Sequence, residues 1–400
     1  MRGVAESDPG LSRDDDWENS RQLGKSVQVS TKMAMVRSAI FLFLCSALLA
    51  VAAQVADAAE EGRRLLYAVN QAARERGSIA VYDIDGGHRR VKTILTVPNV
   101  HNVRGVAGSA VTGRLYVAYA DGANTGMIYC LNIGDDTVLW NKPVSPGVDR
   151  LAVKPDGTLL YVPTGEDRTE DHINIVDAVT GEVVRKVVFS NRSHDTQYPL
   201  AGPVFQTTKA EDGSGTYFYA IDPGSYAVSR TGPYAGVLGP YAVDSASRHV
   251  VNNVTGLWGM QVADLKTGEI VTAAIPEHPD GSPGLMHGIG WTPDQSEVWQ
   301  SSAWNDPHVF VWNMAEPMAP VLKRTLALRS AGGSHWLTFT INGDYAYVAP
   351  NKHSEDGTEI FDARSHTSVG VIGSSEDLLE IDFADGKITR VGDQYGIGRR

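Results

Sequence analysis

Four polar residues occupy the same place in four copies of a phrase that recurs along this sequence. They are Arg104, Asp149, His287 and His335, each twelve residues before the Tyr or Trp near the end of its copy. Neutral imidazole and carboxylate are common protein ligands for Zn, Mn, Fe and Cu. If the copies take equivalent positions in one fold, these distant residues converge. The pattern therefore predicts a divalent metal site with Asp149, His287 and His335 as ligands.

Two more histidines and an arginine could take part in catalysis. His194 is expected at the same place in another copy, and His101 lies just before Arg104. Either histidine could be a fourth ligand or a general base, and Arg104 could orient an anionic group of a ligand. We therefore predict His101, His194 and Arg104 as catalytic residues. Two alternatives stay open: Arg104 could be a salt-bridge partner of Asp149, and the histidines could be structural groups that cap strands.

The repeated phrase consists of an apolar strand, a turn rich in Pro, Asp and Gly, and a second strand. It reads LAVKPDGTLLYV at Leu151–Val162 and LTFTINGDYAYV at Leu337–Val348, with other copies at Gly105–Val117 and Ile289–Trp299. A hairpin such as INIVDAVTGEVVRKVVF at Ile173–Phe189 follows the phrase. Phrase and hairpin together make four antiparallel strands, and their period of about 45 residues is typical of propeller blades.

Seven such units predict an all-β fold, a seven-bladed β-propeller of four-stranded antiparallel blades. The unit that begins at Arg63 has three strands, and Leu378–Gly386 is expected to supply its missing first strand. Strands from the N- and C-terminal parts of the chain would then close the ring, which avoids two exposed sheet edges. In the unit that begins at His194 we expect an insertion of about a dozen residues before Tyr217.

The N-terminal region differs from these repeats. Basic residues precede the apolar run AIFLFLCSALLAVAA at Ala39–Ala53, and a small-residue cleavage pattern ends at Ala58. This is the pattern of a secretory signal peptide. We predict an extension and signal peptide over residues 1–58 and a single propeller domain over residues 59–400. A secreted or periplasmic protein without a stable membrane span after cleavage is expected, and a tethered protein is the alternative.

Composition restricts the partners and cofactors. The 400 residues are 42% hydrophobic and carry a formal charge of −12, which disfavours nucleic acid as a partner. Outside the signal peptide the only cysteine is Cys130, expected as a small buried hydrophobic residue. The sequence has no CxxCH motif for covalent c-type haem and no nucleotide-binding P-loop. We expect a small-molecule or glycan ligand at the channel mouth, and a monomer because a closed ring leaves no long free edge.

The phrases PDGTLLYV and INGDYAYV and the hairpin VDAVTGEVV resemble the YVTN-repeat, YncE-like seven-bladed β-propellers. The similarity covers residues 63–400, and the ending from SSEDLLEIDFADG onward is similar to an exported bacterial branch of that group. The resemblance implies the propeller fold. The group and its lactonase-like relatives include hydrolases, binding proteins and cell-surface proteins, so the resemblance implies no catalytic residue.

The residues favour a metal-dependent hydrolase or lyase that acts on a small oxygenated substrate such as a lactone or a sugar acid. The sequence does not decide whether the protein is an enzyme. The alternative is a non-catalytic propeller that binds a protein, a glycan or a small ligand in the cell envelope. A redox site with His-ligated copper or iron is a weaker third interpretation.

Overall fold

β-Strands form nearly all of the regular structure in the computed structural model, which describes residues 62–200, 202–276, 285–304, 306–330, 332–351 and 355–393. Within these ranges 29 strands form seven sheets, and the helical structure is a single 3₁₀ turn at Ser214–Thr216. The predicted signal peptide with its cleavage site near Ala58 lies outside the described residues. Across the described ranges, no helix has the length and apolar character needed to cross a membrane.

The chain passes through the blades in order. It begins with three strands of one blade: β1 (Arg63–Val69), β2 (Ile79–Asp83) and β3 (Arg89–Ile94). Six blades of four consecutive antiparallel strands follow. They are β4 (Val100–Ser109), β5 (Arg114–Asp121), β6 (Gly126–Asn132) and β7 (Val138–Pro143); β8 (Ala152–Val153), β9 (Leu159–Pro163), β10 (His172–Asp177) and β11 (Val183–Val188); β12 (Ser193–Gln197), β13 (Val204–Thr208), β14 (Phe218–Ile221) and β15 (Val228–Thr231); β16 (Leu238–Val243), β17 (His249–Val254), β18 (Gly259–Asp264) and β19 (Ile270–Ala274); β20 (Leu285–Trp291), β21 (Glu297–Ala303), β22 (His308–Asn313) and β23 (Val321–Ala327); and β24 (Ser334–Phe339), β25 (Tyr345–Pro350), β26 (Thr358–Asp362) and β27 (Thr367–Ile372). The chain then returns to the first blade with β28 (Asp377–Ala384) and β29 (Lys387–Val391).

The first blade contains strands from both ends of the described chain, in the order β29-β28-β1-β2-β3. Strand β28 pairs antiparallel with β1, so that Leu379 lies opposite Tyr67. The predicted seven-bladed fold is therefore confirmed. Strand β29 is a fifth strand in this blade that the repeat did not predict. A tight turn joins it to β28, in which Asp385 and Gly386 have φ values of 51° and 69°, as two-residue hairpin turns require.

The first strands of the blades lie together at the centre of the ring. Strand β16 packs against β20, β20 against β24, and β28 against β4. A parallel bridge between Arg150 and Asp195 joins the starts of β8 and β12. Strands β16 and β24 are buried along their whole length, whereas the outer strands β11 and β27 are mostly exposed. Residues at the start of a first strand therefore face their counterparts around a common axis.

The hydrophobic core lies between the faces of neighbouring sheets. Tyr116 on β5 and Cys130 on β6, for example, belong to one buried cluster with Leu160 and Val162 on β9 of the next blade. Each sheet is covered on both faces, so apolar residues occur in near-continuous runs on the middle strands. Cys130 is completely buried, as expected of a small hydrophobic residue.

The polar turn of the repeated hairpin has a physical cause. In the hairpin between β10 and β11, Asp177 Oδ1 accepts hydrogen bonds from the backbone N–H groups of Val179 at 2.9 Å and Thr180 at 2.7 Å. Gly181 follows at a φ of 74°, which favours glycine. The aspartate thus stabilises the turn locally.

The expected insertion before Tyr217 was a wrong prediction. The blade that begins with β12 has its second strand at β13, and β14, which starts just after Tyr217, is its third strand. The run FYAI of β14 resembles the second strands of other blades, because a short apolar run has no periodicity that distinguishes one buried strand from another.

Candidate functional site

The six predicted site residues lie at or just before the first strands of their blades. They are His101 and Arg104 in β4, Asp149 before β8, His194 in β12, His287 in β20 and His335 in β24. The structure places five of them in two groups. Asp149 contacts His194 and Arg104, and His287 contacts His335. The side chain of His101 is exposed and belongs to neither group.

Asp149 is the centre of the first group. Its Oδ2 accepts hydrogen bonds from Arg104 Nη2 at 2.6 Å and from His194 Nδ1 at 3.1 Å. Its Oδ1 accepts one from the backbone N–H of Arg150 at 3.0 Å. Burial raises the pKa of Asp149, but the attraction of Arg104 and His194 outweighs burial and leaves that pKa well below its usual range. Asp149 is therefore a buried carboxylate that stays ionised.

Glu166 joins this group, although sequence reasoning did not single it out. Its Oε2 lies 3.9 Å from His194 Nε2, and its Oε1 lies 3.6 Å from Arg104 Nη2. One candidate ligand atom from each of Asp149, Glu166 and His194 lies within 4.8 Å of the others. His194 is 4% exposed, and its Nε2 makes no hydrogen bond to any described residue. This arrangement leaves a buried nitrogen facing a carboxylate.

The neighbouring charges set the state of the His194 ring. Burial lowers the pKa of His194, but the carboxylates of Asp195, Glu166 and Asp149 outweigh burial and raise it overall. Because Asp149 is ionised, Nδ1 of His194 carries the proton that it donates to Asp149. The raised pKa favours a second proton on Nε2, which faces Glu166, and loss of that proton would free Nε2 to bind a metal ion or to accept a proton from a substrate.

Arg150 connects the first group to the second. Its Nε lies 3.8 Å from Asp195 Oδ1, and its Nη2 lies 3.5 Å from Glu376 Oε2. Glu376 Oε2 is in turn hydrogen-bonded to His335 Nδ1. Asp195 Oδ1 lies 3.8 Å from His194 Nδ1, so a continuous series of buried ionisable groups runs from His194 to His335.

The second group is an aromatic cluster. The rings of His287 and His335 are stacked, with centroids 3.8 Å apart and planes inclined by 24°. His287 Nδ1 donates a hydrogen bond to the backbone carbonyl of His335 at 2.5 Å. The ring of Trp304 lies 5.7 Å from that of His287 and 5.6 Å from that of His335. Burial, followed by repulsion from His335, holds the pKa of His287 well below its usual value. His287 is therefore a neutral ring.

A cavity of about 220 Å³ is lined by residues of both groups. Glu166, His287 and His335 contribute to its wall together with Trp304 and Lys209. Burial lowers the pKa of Lys209, and the nearby carboxylates only partly oppose this effect. No described residue forms a hydrogen bond or ion pair with Lys209 Nζ. The cavity thus combines a carboxylate, a cation and an aromatic wall.

Sequence reasoning missed Glu166 and Lys209, although their places in the blade repeat could have indicated them. Glu166 comes after β9 and Lys209 directly after β13, both in loops after the second strand of a blade. In an antiparallel sheet the end of the second strand lies beside the start of the first. Polar residues just after the second strand would therefore have been a usable signal, but the twelve-residue spacing selects only positions at the first strand.

Comparison with protein-family profiles gives no match, and comparison with curated proteins gives none either. The resemblance to YncE-like propellers therefore stays a prediction. Many solved structures share the fold. The hydrazine synthase of Kuenenia stuttgartiensis is 14% identical with a TM-score of 0.56, over 74% of this chain and 96% of that one.

Two further structures show the same likeness. The Cps50 (Swd1) β-propeller domain of Myceliophteria thermophila is 12% identical with a TM-score of 0.56, over 74% of this chain and 96% of that one. The dihydro-haem d1 dehydrogenase NirN, in complex with DHE, is 14% identical with a TM-score of 0.53, over 84% of this chain and 72% of that one. At these identities the likeness shows the propeller fold alone.

Proposed function

We propose that this propeller binds a divalent metal ion through His194 Nε2 and Glu166, with Asp149 behind the histidine, and is a hydrolase or lyase for a small oxygenated molecule. One observation carries the proposal. Asp149, Glu166 and His194 bring their ligand atoms within 4.8 Å, and the buried Nε2 of His194 has no hydrogen-bond partner among the described residues. A buried polar atom of this kind needs a partner, and a metal ion would supply one.

The roles of the three residues differ. Asp149 Oδ2 already accepts hydrogen bonds from Arg104 and His194, so Asp149 is suited to orient the imidazole and raise its basicity. Imidazole nitrogen and carboxylate oxygen suit Zn, Mn or Fe, with Cu as a further candidate. Such an ion would lower the pKa of a bound water and polarise a substrate carbonyl. The cavity beside Glu166 offers the place for that substrate.

A second function is supported by a different contact. Arg104 lies 2.6 Å from Asp149 and 3.6 Å from Glu166, so it partly neutralises both carboxylates without a metal ion. In that case the propeller would bind a small molecule or glycan in the cavity without chemistry. The same channel mouth would then be a binding site in the cell envelope.

Metal content of the purified protein separates the two functions. The protein should be prepared without a histidine tag, reconstituted with Zn, Mn, Fe or Cu, and analysed by mass spectrometry. We expect about one equivalent of one metal in the wild type and almost none in His194→Ala and Glu166→Gln. His249→Ala is the matched control, because His249 Nδ1 pairs with Asp244 at 2.8 Å in another blade. Equal metal content in His194→Ala and wild type would overturn the metal site, as would no metal in any protein.

A further inference from the structure

We propose that the cavity binds a sugar acid, whose carboxylate pairs with Lys209 while its ring stacks on Trp304. This inference names the substrate class of the proposed function. It rests on that function only for the position of the reacting group, beside Glu166. The binding itself depends only on residues of the cavity wall. It narrows the substrate class from small oxygenated molecules in general to polyhydroxylated carboxylates.

An anionic group of a ligand would stabilise the ammonium group of Lys209. Lys209 lines the cavity, and its Nζ forms no ion pair within 4 Å among the described residues. Glu166, the carboxylate in the cavity wall, pairs with other groups and lies 3.6 Å from Arg104 and 3.9 Å from His194. A half-buried ammonium group without a direct ion pair is unfavourable, and a carboxylate from the ligand would supply that ion pair. A neutral lactone would leave Lys209 unpaired, so the acid is favoured over the lactone.

Trp304 provides an apolar platform. Its side chain is 50% exposed although its ring touches both stacked histidines. Its backbone has a φ of 52°, a conformation that costs free energy for a bulky residue and that clusters at functional positions. Leu285, which is 46% exposed, also lines the cavity. The apolar C–H face of a sugar ring is a suitable partner for this surface.

Size and polarity agree with this class of ligand. The cavity volume of about 220 Å³ is below the range for drug-sized ligands and suits a single six-membered ring with its substituents. Glu166 and Thr255 also line the cavity and can pair with hydroxyl groups. A carboxylate, several hydroxyls and one apolar face are the features that this wall can recognise together.

Titration calorimetry with matched ligands tests the inference. The probes are D-glucuronate and D-galacturonate, and the controls are D-glucose and D-galactose, which have the same rings but no carboxylate. We expect uronates to bind at least about tenfold more tightly than the neutral sugars, because a charge-assisted pair with Lys209 is lost in the latter. Lys209→Met should remove that preference, and Lys209→Arg should keep part of it. Trp304→Ala should weaken both classes.

The outcomes separate this inference from the proposed function. Binding is measured on metal-loaded and on chelator-treated protein, and circular dichroism checks that each variant is folded. Equal binding of uronates and neutral sugars, or a uronate preference that survives in Lys209→Met, would overturn the inference. Absence of uronate binding to a protein that holds its metal would also overturn the inference, while the metal site would still be supported. Uronate binding by a protein that holds no metal would support the inference and remove the metal function alone.

Discussion

The imidazole of His287 is stacked on that of His335, 48 positions later in the chain and one blade further round the ring. Two charged rings with centroids 3.8 Å apart would repel each other, and burial penalises the charge of His287. Burial, together with this contact, holds the pKa of His287 low and keeps the ring neutral, which has a consequence for stability at acid pH.

The first prediction concerns that pH dependence. The pKa of His287 in the folded protein lies well below its usual value of 6.5. Below pH 6.5 the unfolded chain therefore binds a proton at this position that the folded protein does not, so stability falls as the pH is lowered towards the folded-state pKa. His287→Phe should lose less free energy of unfolding than wild type between about pH 7.5 and about pH 5. Urea unfolding at several pH values measures this, with His101→Phe at an exposed position as the control. Parallel profiles of wild type and His287→Phe would contradict it.

The second prediction concerns Asp149 as the residue that orients His194. Asp149→Asn keeps the shape but loses the negative charge that accepts the Nδ1 proton of His194. Metal affinity should fall about 10- to 100-fold, the usual effect of removing such an outer carboxylate. Competition with a chromophoric chelator measures the affinity. Asp244→Asn removes the equivalent carboxylate of the pair with His249 and should leave affinity unchanged. Unchanged affinity in Asp149→Asn would show that the two residues are not coupled.

The third prediction concerns Arg150, which lies 3.1 Å from Asp377 and 3.8 Å from Asp195, both completely buried. Its guanidinium also lies 3.6 Å above the ring of Trp336. Arg150→Met should lower the free energy of unfolding by about 3–5 kcal/mol, because it leaves buried carboxylates without their cation. Arg150→Lys keeps the charge and should cost less. Urea unfolding gives both values, and a loss below about 1 kcal/mol in Arg150→Met would contradict the prediction.

The fourth prediction links backbone packing to the site. A Cβ atom at Gly126 would lie 2.5 Å from the carbonyl carbon of Gly147 and 2.7 Å from the nitrogen of Val148, next to Asp149. Gly126→Ala should therefore cost about 1–3 kcal/mol of stability and should also weaken metal binding by displacing Asp149. At Gly122 a Cβ would meet nothing within 4 Å, so Gly122→Ala is the control. Thermal unfolding and metal content test both effects. Full metal content in a destabilised Gly126→Ala would contradict the predicted displacement of Asp149.

The fold could be predicted because each blade repeats the same short sequence pattern of strands and turns. Asp177 and Gly181, for example, stabilise a turn through contacts within a few residues, and such contacts are visible in the sequence. Strand β29 was not predicted because it belongs to no repeat. The insertion expected before Tyr217 has a different cause: the apolar run of β14 fits either the second or the third strand of a blade.

The candidate site was only partly accessible from the sequence. Equivalent blade positions suggested that Asp149 and His194 converge, and they lie in contact. The same argument placed Asp149 with His287 and His335, but those rings stack on each other, and the three-residue group contains Glu166 instead. Symmetry indicates which end of the blades a residue occupies. It does not indicate which neighbours touch, because that depends on side-chain length and on pairings such as Arg104 with Asp149.

The pairing of β28 with β1 has a consequence for the synthesis of the chain. Strand β1 emerges from the ribosome early, but its partner β28 follows only after six other blades. Until then one edge of the first blade presents unpaired N–H and C=O groups, which invite association with other chains. Ring closure brings together two strands separated by nearly the whole described chain, so it is entropically costly and slow. A chain that ends before β28 would therefore expose this edge and would be prone to associate with other chains.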